Sequence, residues 1–238
     1  MRDQHSPDPS AEDGFPDRGA SRADGPPPPR REPVFIGLPL IVLALIAVIL
    51  GVQALAAWSE AGDGRLHAMI VNHGALATGG LKDEFAPAPW GGLSPYLLHV
   101  FLHWGWTHTL INAGALLAFG AGAMRPFGTG LKASLGFLAF FLFCGVCGAV
   151  FADFAEPYRL MAGASTAVSG VLAGAGWAAG GRMGMLRLAG PWLLINIALG
   201  VAGVFMNVPI SWSGHIGGLL AGALTFPLFV RVFRERRV

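Results

Sequence analysis

The chain has 238 residues, 53% of them hydrophobic and 13% charged, with a mean hydropathy of +0.56. Soluble domains run at about 45–50% apolar and about 25% charged, so this composition excludes an ordinary water-soluble globule and implies a polytopic protein of the lipid bilayer. A net charge of +2 is too small to argue for nucleic acid, and the basic residues lie at the ends of apolar runs rather than in a patch.

Residues 1–33 contain "DGPPPPRREP", many acids and almost no large apolar side chains. Such a segment buries too little surface to offset ordering entropy, and it is expected to be a disordered cytoplasmic tail. The next run, Val34 to Ala57, ends in "ALAA" and follows Arg30 and Arg31, which imitates a secretory signal with an A-x-A cleavage site. Its apolar stretch is too long for one and further spans follow, so a retained anchor is expected.

Apolar runs then recur at 35–57, 96–120, 131–152, 162–181, 186–206 and 213–231, each near the roughly 20 residues that cross about 30 Å of hydrocarbon. The expected fold is all-α: six transmembrane helices in one domain over 34–233, with a short basic cytoplasmic tail at 234–238. The long connection at 58–95, with Trp58, Trp90, Pro87, Pro89 and Pro95, should carry short helices at the membrane surface. Arg30, Arg31, Arg125, Lys132, Arg182, Arg187, Arg231, Arg234, Arg236 and Arg237 alternate with segments carrying only Arg65, Lys82 and Arg159. The excess of cytoplasmic Lys and Arg seen in membrane proteins therefore places both termini in the cytoplasm of a multi-pass protein of the cell (inner) membrane. No internal repeat suggests a transporter's inverted halves.

All fourteen carboxylates fall outside these expected spans. That excludes an embedded pair of aspartates, a carboxylate proton relay and a helical H-E-x-x-H zinc site. Cys144 and Cys147 in "FLFCGVCGAV" are the only cysteines, too few for a structural zinc site with its four ligands, and are read as packing residues. No metal and no cofactor are expected.

The polar chemistry left inside is His, Ser, Asn and Thr. In "HVFLHWGWTHTLINAGALLAFG", about 100° per residue puts His99 with His103 on one face and His108 with Asn112 on another: two pairs, not one metal cage. His99 and His103 lie near the outer end, where they can satisfy loop carbonyls. "SWSGHIGGLLAGAL" sets His215 above Gly218 and Gly222, and "GASTAVSGVLAGAG" spaces Ser165, Ser169, Ala173 and Gly176 along one ridge. Small ridges let helices approach closely, and facing each other these two would bring Ser165 near His215. Ser165 then either packs as one more small residue or surrenders its proton to His215, which needs contact at about 2.6–3.2 Å; spacing leaves both open.

In these three places the chain resembles the rhomboid family of intramembrane serine proteases. "HVFLHWGWTHTLIN" is similar to the family's second-helix His/Asn motif, "GAST" stands at its Gly-x-Ser-Gly signature, and "GHIGGLLAG" resembles its sixth-helix His-x-x-Gly-x-x-x-Gly motif. The resemblance implies a rhomboid-like bundle in which Ser165 is the nucleophile and His215 the general base of a dyad, with His108, Asn112 and the Ser165 N–H as the oxyanion site. It implies single-span transmembrane proteins as substrates; the alternative is a catalytically silent relative that binds membrane clients. Three departures stand out: Thr166 replaces a glycine after the serine, Ser169 replaces an aromatic that packs on the base, and "PWGG" at 89–92 replaces a Trp-Arg pair.

Overall fold

A computed structural model describes residues 37–206 and 210–234. The expected tail at 1–33 and the end of the basic tail, from 235 onward, lie outside the described residues. Among those described, five helices are long and apolar enough to cross a membrane: α1 Leu40–Glu60, α4 Trp106–Met124, α5 Gly130–Ala155, α6 Ser165–Gly203 and α7 Trp212–Phe233. The long connection carries short α2 Arg65–Gly74 and α3 Ser94–Leu98 with single helical turns at Gly80–Glu84 and Trp90–Gly92, as its composition implies. The result is an all-α, multi-pass bundle.

The fourth and fifth expected spans are the two arms of α6. At Gly180 and Gly181 the backbone leaves the helical region, Gly181 with φ 57°, a conformation glycine adopts without a Cβ clash. The chain then doubles back: a Cβ at Gly176 would lie 2.8 Å from the Gly184 carbonyl oxygen. The same reversal lets the Trp192 indole N–H donate to Ser169 Oγ at 2.9 Å, across 23 residues. The first arm is therefore short, about 22 Å for residues 165–179 at 1.5 Å per residue.

The second span begins ten residues later than the sequence pattern suggests. Gly105, with φ 83°, starts α4 at Trp106, and the preceding residues form α3, a single turn at His99–Phe101 and an extended Leu102. His99 and His103 are thus not on the α4 face at all. They lie in the segment that precedes α4, and both are buried.

A two-stranded antiparallel ribbon, β1 Leu76–Gly79 with β2 Tyr158–Met161, ties that connection to the segment before α6, pairing Leu76 with Met161 and Gly79 with Tyr158. Strands of four residues are too short to show alternation, so the sequence pattern gave no sign of it. Thr78 Oγ1 donates to the Glu156 carbonyl and accepts from the Arg159 N–H. A second tie joins Lys82 Nζ to Asp153 at 2.6 Å, with the Tyr96 hydroxyl donating to the same carboxylate. Partial burial works against the Lys82 charge, but its bonds to Asp153 and Tyr96 outweigh that and hold its pKa above the ordinary lysine value.

Inside lipid, helices gain little from hiding apolar surface from one another, and association depends on van der Waals fit. Helix α7 supplies it in two ways. Near its start a Cβ at Gly218 would fall on the Thr166 carbonyl, and one at Gly222 on the Gly170 backbone. The small-residue ridge of α7 is as expected, and Ser165 and Ala173 of the expected α6 ridge do meet α7, at His215 and Leu219, but the closest backbone approach is at Thr166 and Gly170. Further along, Phe226 inserts between Phe127 and Phe140, edge-on at centroid distances of 5.8 and 5.3 Å, the geometry aromatic quadrupoles favour. Cys144 packs against Gly170, in keeping with its structural reading.

Replacing Gly218 with Leu forces α6 and α7 apart and should lower stability by about 1–3 kcal/mol or more. A thermal unfolding midpoint in detergent equal to that of the parent protein would count against the close approach.

Candidate active site

Ser165 is the first residue of α6, so its N–H has no intrahelical acceptor. The loop that delivers it is held from below by two histidines. The Gly163 N–H donates to the His99 carbonyl at 2.8 Å, and the Ala164 N–H donates to His103 Nε2 at 3.1 Å. His99 spends its Nδ1–H on the Pro95 carbonyl at 3.0 Å, so its Nε2 accepts from the Thr166 hydroxyl at 3.0 Å. Complete burial pushes the His99 ring down to about 4, which keeps it neutral and fit for this bracing. Of the two histidines expected to satisfy loop carbonyls, His99 meets the Pro95 carbonyl of α3 and His103 accepts an N–H instead, and both rings fix the serine's approach.

Gly163 carries a second constraint. Its φ is 132°, and a Cβ there would lie 2.6 Å from the His108 ring, so this position needs glycine for both conformation and space. His108 thereby comes against the turn that precedes Ser165. Asn112, one helical turn further along α4, is buried and gives one amide hydrogen to the His108 carbonyl at 2.9 Å. An amide NH₂ has two hydrogens, which leaves one for another acceptor.

His215 lies in the first turn of α7, and its Nε2 is 2.8 Å from Ser165 Oγ. Two chain segments 50 residues apart thus meet at the same end of the bundle. His108, Asn112, Ser165 and His215 all line one cavity of about 880 Å³, whose walls are otherwise largely apolar, with Ile111, Ala115, Phe119 and Leu172 among them. Among the described residues no cluster of three His, Cys, Asp or Glu could hold a metal. A hydroxyl in contact with an imidazole, beside unspent N–H donors, is an arrangement able to perform acyl transfer.

Residues 91–232, which contain every one of these side chains, match the Rhomboid domain. The chain belongs to the rhomboid family. It is also 33% identical over 134 residues to the Rhomboid protease GluP of Bacillus subtilis (strain 168), an alignment covering 56% of this chain and 24% of that protein. This rhomboid therefore spans about a quarter of that relative's length. Its family is one of intramembrane proteases, and the chain is an integral, multi-pass membrane protein.

Two of the three departures, Thr166 and Ser169, have a physical account in this rhomboid. The Thr166 side chain turns toward Gly148 of α5 and Gly214 of α7 and donates to His99, so it packs between helices. Ser169 directs its hydrogen bonds elsewhere than the imidazole. It donates to the Ser165 carbonyl at 2.7 Å and accepts from the Trp192 indole at 2.9 Å. Trp192 in turn lies over His215, centroids 5.5 Å apart and planes at 33°. The aromatic on the histidine comes from the returning arm of α6.

Sequence reasoning missed two residues: Trp192 and Asn196, whose Oδ1 is 2.8 Å from His215 Nδ1. A polar residue isolated in the apolar run "PWLLINIALG", four places from a tryptophan, was the available signal. It missed Glu156 as well, a buried carboxylate that accepts from the Ser211 hydroxyl, the Ser213 hydroxyl and the Ser213 N–H at the start of α7, and pairs with Arg159.

Because the His99 ring holds the Thr166 hydroxyl while the Pro95 carbonyl also accepts the backbone N–H of residue 99, His99→Leu should cost about 1–3 kcal/mol through the one buried hydroxyl it leaves unsatisfied. The check is a lower unfolding midpoint in detergent, with Thr166→Val adding little further loss on top of it.

Proposed function

We propose that this rhomboid is a serine endopeptidase that hydrolyses a peptide bond in or near the transmembrane segment of single-span membrane proteins. The observation that carries the reading is the 2.8 Å contact between His215 Nε2 and Ser165 Oγ inside a cavity large enough for an extended chain.

In this mechanism Ser165 Oγ attacks the scissile carbonyl carbon while its proton passes to His215 Nε2. Negative charge grows on the carbonyl oxygen, and three donors are available for it: the Ser165 N–H, the Asn112 amide and the His108 ring. Each such donor is worth a few kcal/mol, the loss of one elsewhere costing about 2.7–4 kcal/mol. His215 returns the proton to the leaving nitrogen as the C–N bond breaks, which leaves an acyl group on Ser165. Water entering the cavity then gives a proton to His215 and its oxygen to the acyl carbon, and Ser165 is restored with a new carboxylate released.

The short first arm of α6 supports a submerged site. An arm of about 22 Å within about 30 Å of hydrocarbon leaves its starting residue, Ser165, several ångströms below the nearer surface when its other end reaches the opposite one. Under the expectation, drawn from the basic residues, that both termini are cytoplasmic, that nearer surface is the external one. A substrate helix has to unwind there, because a carbonyl still bonded within its helix is a poor target.

The test is cleavage of single-span substrates in proteoliposomes, with products located by mass spectrometry. Ser165→Ala and His215→Ala should each abolish cleavage and fluorophosphonate labelling while leaving the protein inserted and folded. Binding of clients without cleavage in the parent protein would instead select the silent-relative reading. Asn112→Ala should lower kcat by about 100-fold with KM changed far less, and an unchanged kcat removes Asn112 from the oxyanion role.

A further inference from the structure

The hydrogen bonds around His215 do not stop at the serine. Asn196, on the returning arm of α6, is fully buried, and both ends of its amide are committed. Its Nδ2 lies 2.8 Å from the Trp192 carbonyl oxygen, a group that can only accept. That contact settles which end of the amide is nitrogen, a choice that hydrogen-bond partners decide. Oδ1 therefore faces His215 Nδ1 at 2.8 Å, and an amide oxygen can only accept as well. The proton of the neutral imidazole must sit on Nδ1. Nε2 is left with its lone pair toward Ser165 Oγ at 2.8 Å, so the serine hydroxyl is the donor.

We propose that Asn196 is the positioning residue for the base: it holds the Nδ1–H tautomer of His215, and Ser165, His215 and Asn196 act as a triad rather than a dyad. This rests on the Ser165–His215 chemistry proposed above. Trp192 and Asn196 are four residues apart on one helix and so share a face; the tryptophan covers the ring while the asparagine holds its edge. During attack the ring becomes an imidazolium with protons on both nitrogens. Oδ1 keeps its bond to Nδ1–H through that change, and a bond to a charged donor is stronger than one to a neutral donor. An amide does this without placing a carboxylate in the bilayer, where an ion is expensive.

Without that acceptor the ring loses its preferred tautomer, and molecules with the proton on Nε2 cannot take one from Ser165. The loss falls on turnover, since Asn196 touches no substrate. Two substitutions separate positioning from packing. Asn196→Leu fills the volume with no acceptor; Asn196→Asp keeps a carboxyl oxygen as acceptor for Nδ1–H. On a single-span substrate in proteoliposomes, Asn196→Leu should lower kcat about 10- to 100-fold, a part of the roughly 100- to 10,000-fold that base catalysis supplies, with KM within about twofold. Asn196→Asp should restore kcat to within about threefold of the parent protein. A folded Asn196→Leu with parental kcat overturns the proposal, as does an Asn196→Asp that is folded and as slow as the leucine variant.

A readout on the unaltered protein covers the case in which neither variant folds. Nitrogen-15 spectra of the histidine-labelled full chain, with His215 assigned by subtraction of a His215→Ala spectrum, should show a protonated Nδ1 and a bare Nε2 for that residue. A protonated Nε2 overturns the proposal. The comparison with Ser165→Ala keeps the two claims apart: absence of any serine-dependent cleavage sinks the protease reading, whereas cleavage that depends on Ser165 but not on the residue at 196 sinks only the triad.

Discussion

A single file of hydrogen bonds with one possible direction organises this end of the bundle. It runs from the Ser165 hydroxyl through both nitrogens of His215 and the Asn196 amide to the Trp192 carbonyl. The direction follows from the last member, because a carbonyl oxygen cannot donate. In a low-dielectric interior each bond is electrostatically strong and each unpaired group costly, so the helices carrying these residues have to be held in mutual register.

That register comes from close backbone contact. Helix α7 must bring His215 against the first turn of α6, and it can do so because Gly218 and Gly222 let it rest on the Thr166 carbonyl and the Gly170 backbone. At the other end Phe226, set among Phe127 and Phe140, fixes its rotation and depth. The reversal at Gly180 and Gly181 brings Asn196 and Trp192 up beside the same ring. The histidine loop under Ser165 completes the set, with His99 and His103 holding Thr166 and the Ala164 N–H.

The arrangement also gives Ser169 a definite role. Its hydroxyl links the Ser165 carbonyl to the Trp192 indole, so a small residue on one arm steers a large one from the other onto the base. In this chain the residue that covers the ring is Trp192, from the returning arm of α6. Glu156 extends the same pattern: it lies just past α5 yet ties down the start of α7 through Ser211 and Ser213.

Much of this protein was legible in its residues. Apolar runs near bilayer length dictated a multi-pass helical bundle, because unsatisfied backbone groups are too costly in hydrocarbon for anything but helices or closed barrels. The Ser165, His215, His108 and Asn112 motifs carried the family resemblance, and the glycine spacing of α7 announced a close helix contact. The tertiary structure decided the rest, for reasons local pattern does not contain. The start of α4 depended on a positive φ at Gly105, and the ribbon depended on pairing between segments far apart in the chain. The closest backbone approach of α6 to α7 lay at Thr166 and Gly170, one residue round from the expected ridge. The partner of His215 Nδ1 sits 19 residues away on an arm that reaches it only because the chain turns back; periodicity reports which face of one helix is small or polar, but which neighbour that face meets is set by how all the helices pack at once.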